Sequence, residues 1–306
     1  MTATPPLETF ALAGVPELHQ LPPHHHGLLA HRDGLEIFWQ SWLPGPMPKA
    51  ALLFVHGLAE HSGRYRNPVE YFTPLGYACY ALDLRGHGRS EGLRVHVASF
   101  DDYSADVALV LREMRERHPG LPIVLCGHSM GGLVVLRYLL QHSHEVQASI
   151  VSSPSLAAHP SARPPAHLVR ISKILSVLWP TLLFKTKLDA TAVSKDPAVV
   201  AAYQQDRLVS GKVSARWFTS LIAAQHDVFA RAGNLRTPLL LMQSGADRLV
   251  DPTATARWAE QAAPELVSFY SWPGLFHEMW NEPEKKKVFA LMESWLQNWL
   301  GERPLR

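Results

Sequence analysis

The sequence predicts an α/β protein built on a mostly parallel β-sheet. Six segments contain nearly continuous runs of apolar residues, which is typical of strands whose two faces are both covered. Stretches with helical periodicity separate them, and strands that alternate with helices favour a parallel sheet with helices on both faces. The predicted strands are residues 50–57, 77–86, 122–129, 148–154, 238–247 and 265–272.

Residues 155–233 break this alternation. A proline-rich stretch is followed by "HLVRISKILSVLWP", where Leu168, Ile171, Leu175 and Leu178 recur at helical spacing, and no convincing strand comes after it. We call this segment the helical insertion. We expect it to lie over the carboxyl ends of the strands, where ligands bind in such sheets, and to divide the core into residues 1–154 and 234–306.

The N-terminal part of the chain is predicted to begin with an irregular segment, residues 1–26, followed by a hairpin. Residues 24–26 are "HHH", and one alternative is a loose metal site. Adjacent side chains on an irregular segment cannot all converge on one ion, so we prefer a solvated surface tract. In residues 27–43 two short strand-like runs flank "HRDG", which is typical of a hairpin.

Composition excludes several classes of protein. The chain has 306 residues, 47% of them hydrophobic, and a formal net charge of +2 with scattered basic residues, so a nucleic-acid partner is not expected. Cys79 and Cys126 lie inside apolar segments and are predicted to be buried thiols, which fits a reducing, cytoplasmic location. There is neither a basic start followed by an apolar block nor an apolar run of 18 residues, so neither export nor a membrane span is predicted.

The segment "LCGHSMGG" (125–132) predicts a nucleophilic serine on a sharp turn between a strand and a helix. Its Gly-x-Ser-x-Gly spacing follows an apolar run and precedes the helical pattern "GLVVLRYLLQH". A nucleophile on a strained turn leaves no room for side chains two residues before or after it, which explains Gly127 and Gly131. Ser129 is therefore the candidate nucleophile.

A serine needs a histidine to accept its proton and a carboxylate to orient that histidine. On such a sheet the order along the chain is serine, acid, histidine. His277 is the one histidine after residue 226 and follows the last predicted strand. Asp247 comes directly after the penultimate strand and is the candidate acid. Asp251 is the alternative, but it precedes Pro252 and is typical of a helix N-cap.

The chemistry also needs two N–H donors for an oxyanion. We expect one from Met130, directly after the nucleophile, and the other from Leu58, in the loop that follows the strand at residues 50–57. His56 and His128 are predicted to be structural, each with a ring that bonds backbone groups in a tight turn. The segment "DLRGHGRS" (83–90) lacks the spacing of a phosphate-binding loop and is predicted to be a turn held by side-chain hydrogen bonds.

Several motifs together resemble the monoacylglycerol lipase and lysophospholipase branch of the α/β-hydrolase superfamily. They are "HGLAEHSGRY" (56–65), "DLRGHGRSEG" (83–92), "GHSMGG" (127–132), "SKDPAVVAAYQQD" (194–206), "SGADRLVDP" (244–252) and the "HE" and "NE" of residues 277–282. The resemblance covers about Gly27 to the C-terminus. It implies an α/β-hydrolase fold, a mostly parallel eight-stranded sheet flanked by helices, with a helical cap at residues 155–233.

The resemblance also implies an activity and a substrate site. It implies a serine hydrolase that cleaves one fatty acyl ester from glycerol or a related head group, with Glu60, Arg64 and Tyr203 near the polar end of the substrate. We call residues 56–65 the first loop. Its more frequent form in the family has Ala-Gly where this chain has Leu58-Ala59. Relatives also often have Asp-Pro in the cap where this chain has "QDRLV". Both departures fall near the substrate.

Other functions stay open at this stage. Within the hydrolases the alternatives are a lysophospholipase, a short-chain carboxylesterase, a thioesterase or a peptidase, since a fold alone does not fix a substrate. From a different class comes a non-catalytic binding protein with the same fold. The chemistry requires no cofactor or metal, and the apolar residues of the helical insertion suit peripheral contact with membranes or micelles. The sequence predicts no oligomeric state.

Overall fold

The computed structural model describes residues 24–186 and 188–301. The strands in these residues are β1 (His25–Ala30), β2 (Glu36–Trp42), β3 (Ala50–Val55), β4 (Tyr77–Leu82), β5 (Ile123–His128), β6 (Ala148–Ser152), β7 (Leu183–Lys185), β8 (Lys212–Ser214), β9 (Leu239–Ser244) and β10 (Val267–Trp272). Eight of them form one sheet in the order β1-β2-β4-β3-β5-β6-β9-β10. The β1–β2 and β2–β4 pairs are antiparallel and the other neighbours are parallel, which confirms the predicted mostly parallel sheet.

Helices cover both faces of this sheet. The helices of the described residues are α1 (Arg66–Phe72), α2 (Asp101–Arg117), α3 (Met130–Gln141), α4 (Ala166–Leu178), α5 (Pro197–Gln205), α6 (Ala215–Ala230), α7 (Pro252–Gln261) and α8 (Lys285–Gly301), of which α4 and α5 belong to the helical insertion. Within the described residues, no helix is both long enough and apolar enough to cross a membrane.

The continuous apolar runs of the central strands follow from burial on both faces. Along β3, Ala51, Leu53 and Val55 pack with α2 and α3, while the alternate residues pack with α1 and α8 on the opposite face. Each large side chain buried in this way contributes about 1.5–3 kcal/mol. The two-sided core therefore fixes β5 between β3 and β6, and with it the position of the segment that follows β5.

Several local predictions are confirmed. Cys79 and Cys126 are buried and unpaired. The side chain of Asp251 accepts a hydrogen bond from Thr253 N at 3.0 Å and caps α7, which begins at Pro252. The hairpin is formed by β1 and β2.

Other local features differ from the sequence-based expectation. β1 begins at His25, so two residues of the segment predicted to be irregular belong to a strand, while residues 1–23 lie outside the described part of the chain. The expectation that the helical insertion lacks strands was wrong, because β7 and β8 form a short antiparallel pair within it. β10 lies at the edge of the sheet and leaves Phe269 and Tyr270 exposed, although its apolar run suggested burial on both faces.

The helical insertion lies between β6 and β9 and contains α4 with its apolar side outward. Ser172 and Ser176 are the buried residues of this helix, and Ser176 Oγ lies 2.8 Å from Thr219 Oγ1 of α6. Its exposed residues include Ile174 and Val177, which are 59% and 72% exposed to solvent. The helix thus packs on its neighbour through small polar side chains and presents aliphatic side chains to solvent.

Candidate active site

The chain turns sharply where β5 meets α3. Ser129 lies between them with φ of 55° and ψ of −118°, a conformation that is strained for a residue with a side chain. A Cβ on Gly127 would lie 2.6 Å from the carbonyl oxygen of Gly131, and a Cβ on Gly131 would collide with the carbonyl oxygens of Val55 and His56. The close packing of α3 on β5 therefore requires Gly127, and its packing on the end of β3 requires Gly131, as the Gly-x-Ser-x-Gly spacing predicts.

A buried histidine–aspartate pair lies next to this turn. His277 Nδ1 donates a hydrogen bond to Asp247 Oδ2 at 2.7 Å, and the two residues are 4% and 3% exposed. Asp247 Oδ1 accepts hydrogen bonds from Leu249 N and Val250 N at 2.8 and 3.0 Å, which fixes the carboxylate. Asp251, the alternative acid, is instead engaged by the N-terminus of α7 and by Arg163 Nη2 at 2.8 Å.

The two members of this pair shift each other's pKa. Burial alone would lower the pKa of His277, but the charge and hydrogen bond of Asp247 outweigh burial and raise it. Burial alone would raise the pKa of Asp247, but His277 and two backbone N–H groups hold it below its usual range. The pair therefore favours a charged carboxylate at neutral pH.

Contacts from the helical insertion hold the loop that carries His277. Glu278 N donates to Val193 O at 2.8 Å, and Glu282 Oε1 accepts from Ser194 Oγ at 2.6 Å. The imidazole ring of His277 lies 4.7 Å, centroid to centroid, from the ring of His128, the residue before Ser129. The structure thus brings the end of β5, the loop after β9 and the loop after β10 to one place.

His56 and His128, the two histidines near this site that are predicted to be structural, bond groups outside the His277–Asp247 pair. His56 Nε2 accepts a hydrogen bond from Leu84 N at 2.9 Å, so its Nδ1 carries the proton and donates to Gly57 O at 2.7 Å. The prediction that His56 bonds backbone groups in a turn is confirmed. His128 Nδ1 lies 3.3 Å from Ser152 Oγ, so the partner of its ring is a side chain and not the backbone group predicted for it. Burial, followed by the nearby His277, lowers the pKa of His128 to about 3, so its ring is neutral.

The turn at residues 83–90 is held by side-chain hydrogen bonds, as predicted. The Asp83 carboxylate accepts hydrogen bonds from Ser62 N at 2.6 Å and from Arg89 N at 2.8 Å. Ser90 Oγ donates to Asp83 O at 2.5 Å. Because these groups bond one another, the turn supports the first loop, which contains Ser62.

That first loop packs against the serine. A Cβ placed on Gly57 would lie 3.1 Å from the Cβ of Ser129, so the residue before Leu58 is in contact with the turn. Gly57 N donates to Glu60 Oε1 at 2.5 Å, and Ala59 has φ of 65°. The other predicted oxyanion donor, Met130, is the first residue of α3.

The predicted substrate-binding residues also come together. Arg64 Nε donates to Glu60 Oε2 at 3.0 Å, and the guanidinium of Arg64 lies over the ring of Tyr203, 4.8 Å from its centroid. Glu278 joins this cluster, since Arg64 Nη2 donates to its Oε1 and Oε2 at 2.8 and 2.6 Å. The sequence predicts no role for Glu278, although this residue belongs to the "HE" motif that contributes to the resemblance.

The sheet order, the strained serine after β5 and the buried histidine–aspartate pair define an α/β hydrolase. A family model described as "Serine aminopeptidase, S33" matches residues 46–284. The chain belongs to this family and, within the α/β-hydrolase superfamily, to the monoacylglycerol lipase branch of carboxylic ester hydrolases, which confirms the resemblance found in the sequence.

Three comparisons illustrate this membership. The chain is 38% identical to a protein from Mycolicibacterium smegmatis named "Monoacylglycerol lipase", over 86% of this chain and 93% of that protein. It is 32% identical to "Phospholipase YtpA" of Bacillus subtilis, over 83% of this chain and 97% of that protein. The crystal structure of a monoacylglycerol lipase from Paleococcus ferrophilus superimposes with a TM-score of 0.79 at 28% identity, covering 86% of this chain and 99% of that one.

Proposed function

We propose that this protein hydrolyses monoacylglycerols to a fatty acid and glycerol, with Ser129, His277 and Asp247 as its catalytic triad. The observation that carries the proposal is the buried pair of His277 and Asp247, 2.7 Å apart, beside a serine held in a strained turn. The M. smegmatis relative named "Monoacylglycerol lipase" supports the choice of substrate.

The reaction is a two-step acyl transfer. His277 Nε2 takes the proton of Ser129 while Ser129 Oγ attacks the ester carbonyl, and the amides of Leu58 and Met130 bind the oxyanion. The protonated ring then gives its proton to the departing glycerol oxygen, leaving an acyl-enzyme. Water, deprotonated by the same ring, attacks that ester and releases the fatty acid. Asp247 holds the proton on Nδ1 throughout and stabilises the charged ring.

The alcohol end of the substrate binds near Glu60, Arg64 and Tyr203. Glu60 is 4% exposed, and burial is outweighed by the charge of Arg64, so the pKa of Glu60 falls to about 2. The carboxylate is therefore charged and able to accept hydrogen bonds from hydroxyl groups. These three residues come from two distant parts of the chain, and their contact supports a common site.

The second candidate function is a lysophospholipase, which the relative named "Phospholipase YtpA" favours. The same triad would also serve a short-chain carboxylesterase or a thioesterase. A ligand-binding protein without catalysis would need no activated serine.

The helical insertion, residues 155–233, acts in this proposal as a cap that contacts lipid surfaces. In the described residues, ten of the sixteen exposed large hydrophobic side chains lie between Leu168 and Leu188. Such a patch is typical of protein or membrane contact sites. Residues up to 154 and from 234 form the hydrolase core, and the free buried thiols of Cys79 and Cys126 support a cytoplasmic location.

The proposal is tested with Ser129→Ala. We expect this variant to fold normally, to lose hydrolysis of 1-oleoylglycerol and to lose labelling by a fluorophosphonate probe. The matched control is Ser161→Ala, because Ser161 Oγ lies 2.7 Å from His159 Nδ1 at an exposed position, outside the proposed triad. An active Ser129→Ala enzyme, or a wild-type protein that the probe leaves unlabelled, would refute the triad. A panel of 1-oleoylglycerol, lysophosphatidylcholine, p-nitrophenyl butyrate and oleoyl-CoA separates the candidate substrates.

A further inference from the structure

A small cavity lies beside the candidate active site. Its volume is about 10 Å³, which is enough for one water molecule or one hydroxyl group. Its lining includes His128, Glu60, Arg64, Glu278 and Trp280. Since His128 precedes Ser129, the cavity is next to the place where the alcohol leaves in the proposed reaction.

The charges around the cavity do not balance. Arg64 Nε bonds Glu60 and Arg64 Nη2 bonds both oxygens of Glu278, so one guanidinium faces two buried carboxylates and the cluster carries a net charge of −1. The neighbouring His128 ring adds no positive charge, because burial lowers its pKa to about 3. A second negative charge placed here would meet like charge in a site with little water, which opposes its binding.

The hydrogen-bonding groups of the cavity match hydroxyls. Among the described residues, Glu60 Oε2 and Glu278 Oε1 each accept a single hydrogen bond, from Arg64, and retain a lone pair. Trp280 is 4% exposed, and its Nε1–H has no hydrogen-bond partner within the described residues. A hydroxyl can donate to a carboxylate and accept from the indole, whereas an ionised phosphate can only accept.

We propose that Glu278 is a specificity-determining residue, which with Glu60 makes the alcohol end of the site accept uncharged glycerol and reject head groups that carry phosphate. This inference rests on the proposed function and deepens it, because it decides between the monoacylglycerol and lysophospholipid candidates. Glu278 takes both bonds of Arg64 Nη2 and offsets the charge of the guanidinium, which would otherwise attract a phosphate.

The test compares two substrates that differ by one phosphate, 1-oleoylglycerol and 1-oleoylglycerol 3-phosphate. We expect wild-type kcat/KM to be about 100-fold higher for the uncharged substrate. Glu278→Gln keeps the shape of the side chain and removes its charge. This variant should lower the ratio of the two kcat/KM values, uncharged substrate over phosphorylated substrate, by about tenfold. Glu278→Asp keeps the charge and should keep a ratio close to that of the wild type. Glu260→Gln, the same change at an exposed position on α7, should leave the ratio unaltered.

A wild-type ratio near one, or an unchanged ratio in Glu278→Gln, would overturn the inference and leave the proposed function standing. Hydrolysis of p-nitrophenyl butyrate without hydrolysis of 1-oleoylglycerol would instead refute the proposed function. A second measurement uses only the wild-type protein and so does not depend on whether the variants fold. Glycerol and glycerol 3-phosphate are compared as inhibitors of p-nitrophenyl butyrate hydrolysis at equal concentration and ionic strength, and glycerol should inhibit more strongly. Stronger inhibition by glycerol 3-phosphate would contradict the inference.

Discussion

His277 Nδ1 lies 2.7 Å from Asp247 Oδ2, and both side chains are buried. The other oxygen of Asp247 is held by two backbone N–H groups, so the carboxylate cannot turn away from the ring. The hydrogen bond places the proton of the neutral imidazole on Nδ1 and leaves Nε2 free as a base. The loop after β9 thus sets the tautomer of a residue that follows β10.

The first prediction concerns pH. Asp247 raises the pKa of His277 above the ordinary value of 6.5. Because a protonated ring cannot accept the serine proton, kcat/KM should fall as the pH drops through this raised pKa. The midpoint of this acid-side fall should therefore lie above pH 6.5. The measurement is kcat/KM for p-nitrophenyl butyrate against pH. A midpoint well below that value would show that His277 is not the base or that Asp247 does not act on it.

The second prediction separates the two candidate acids. Asp247→Asn should lower kcat by about 10⁴-fold, because the amide no longer favours the productive tautomer or stabilises the charged ring. Asp251→Asn is the matched control: Asp251 caps α7, so its replacement should change stability by less than about 1 kcal/mol and leave kcat close to that of the wild type. If Asp251→Asn loses activity and Asp247→Asn keeps it, the assignment of the acid is reversed.

The third prediction concerns backbone strain at Ala59. Its φ of 65° lies in the left-handed region, where an alanine costs about 1–2 kcal/mol that a glycine does not. Ala59→Gly should therefore raise the free energy of unfolding by about 1 kcal/mol and retain activity. Ala108→Gly, within α2, should lower it by about the same amount. Thermal unfolding of both variants provides the measurement, and a destabilised Ala59→Gly protein would show that the strain is offset locally.

How much the sequence predicts depends on the range of the interaction. The strand at β5 and the glycines around Ser129 are predictable, because apolar runs and turn sterics act over a few residues. The bond between Arg64 and Glu278 joins residues 214 positions apart, so it depends on where the whole sheet brings two loops.

Orientation is equally hard to predict. The helical spacing of Leu168 and Ile171 predicts an apolar side of α4, but only the packing of its serines on α6 shows that this side faces solvent. The exposure of β10 likewise depends on its place at the edge of the sheet, which the sequence of the predicted strand at residues 265–272 does not specify.

The fourth prediction couples the helical insertion to the loop that carries Leu58. Ser210 N donates to Ala59 O at 2.9 Å, and His61 Nε2 lies 2.8 Å from Asp206 Oδ2, so two contacts from the insertion hold this loop. Asp206→Ala should lower kcat about tenfold even for p-nitrophenyl acetate, since a displaced Leu58 amide stabilises the oxyanion less well.

Asp196→Ala is the control for that variant, because Asp196 caps the opposite end of α5 and makes none of these contacts with the loop. It should keep kcat for p-nitrophenyl acetate. If Asp206→Ala raised KM for long-chain esters and left kcat for short esters unchanged, the insertion would bind acyl chains without positioning the loop that carries Leu58.

The fifth prediction concerns the outward apolar side of α4. Ile174 and Val177 are 59% and 72% exposed, and transfer of such side chains into an apolar phase is favourable by about 1.5–3 kcal/mol each. The double variant Ile174→Ser, Val177→Ser should therefore bind phosphatidylcholine vesicles about 100-fold less tightly than the wild type, while kcat for dissolved p-nitrophenyl butyrate stays the same. Vesicle co-sedimentation measures the binding. Leu28→Ser, which removes an exposed leucine from β1, is the control and should bind vesicles as the wild type does. Equal vesicle binding by the double variant and the wild type would mean that α4 presents its apolar side to something other than a lipid surface.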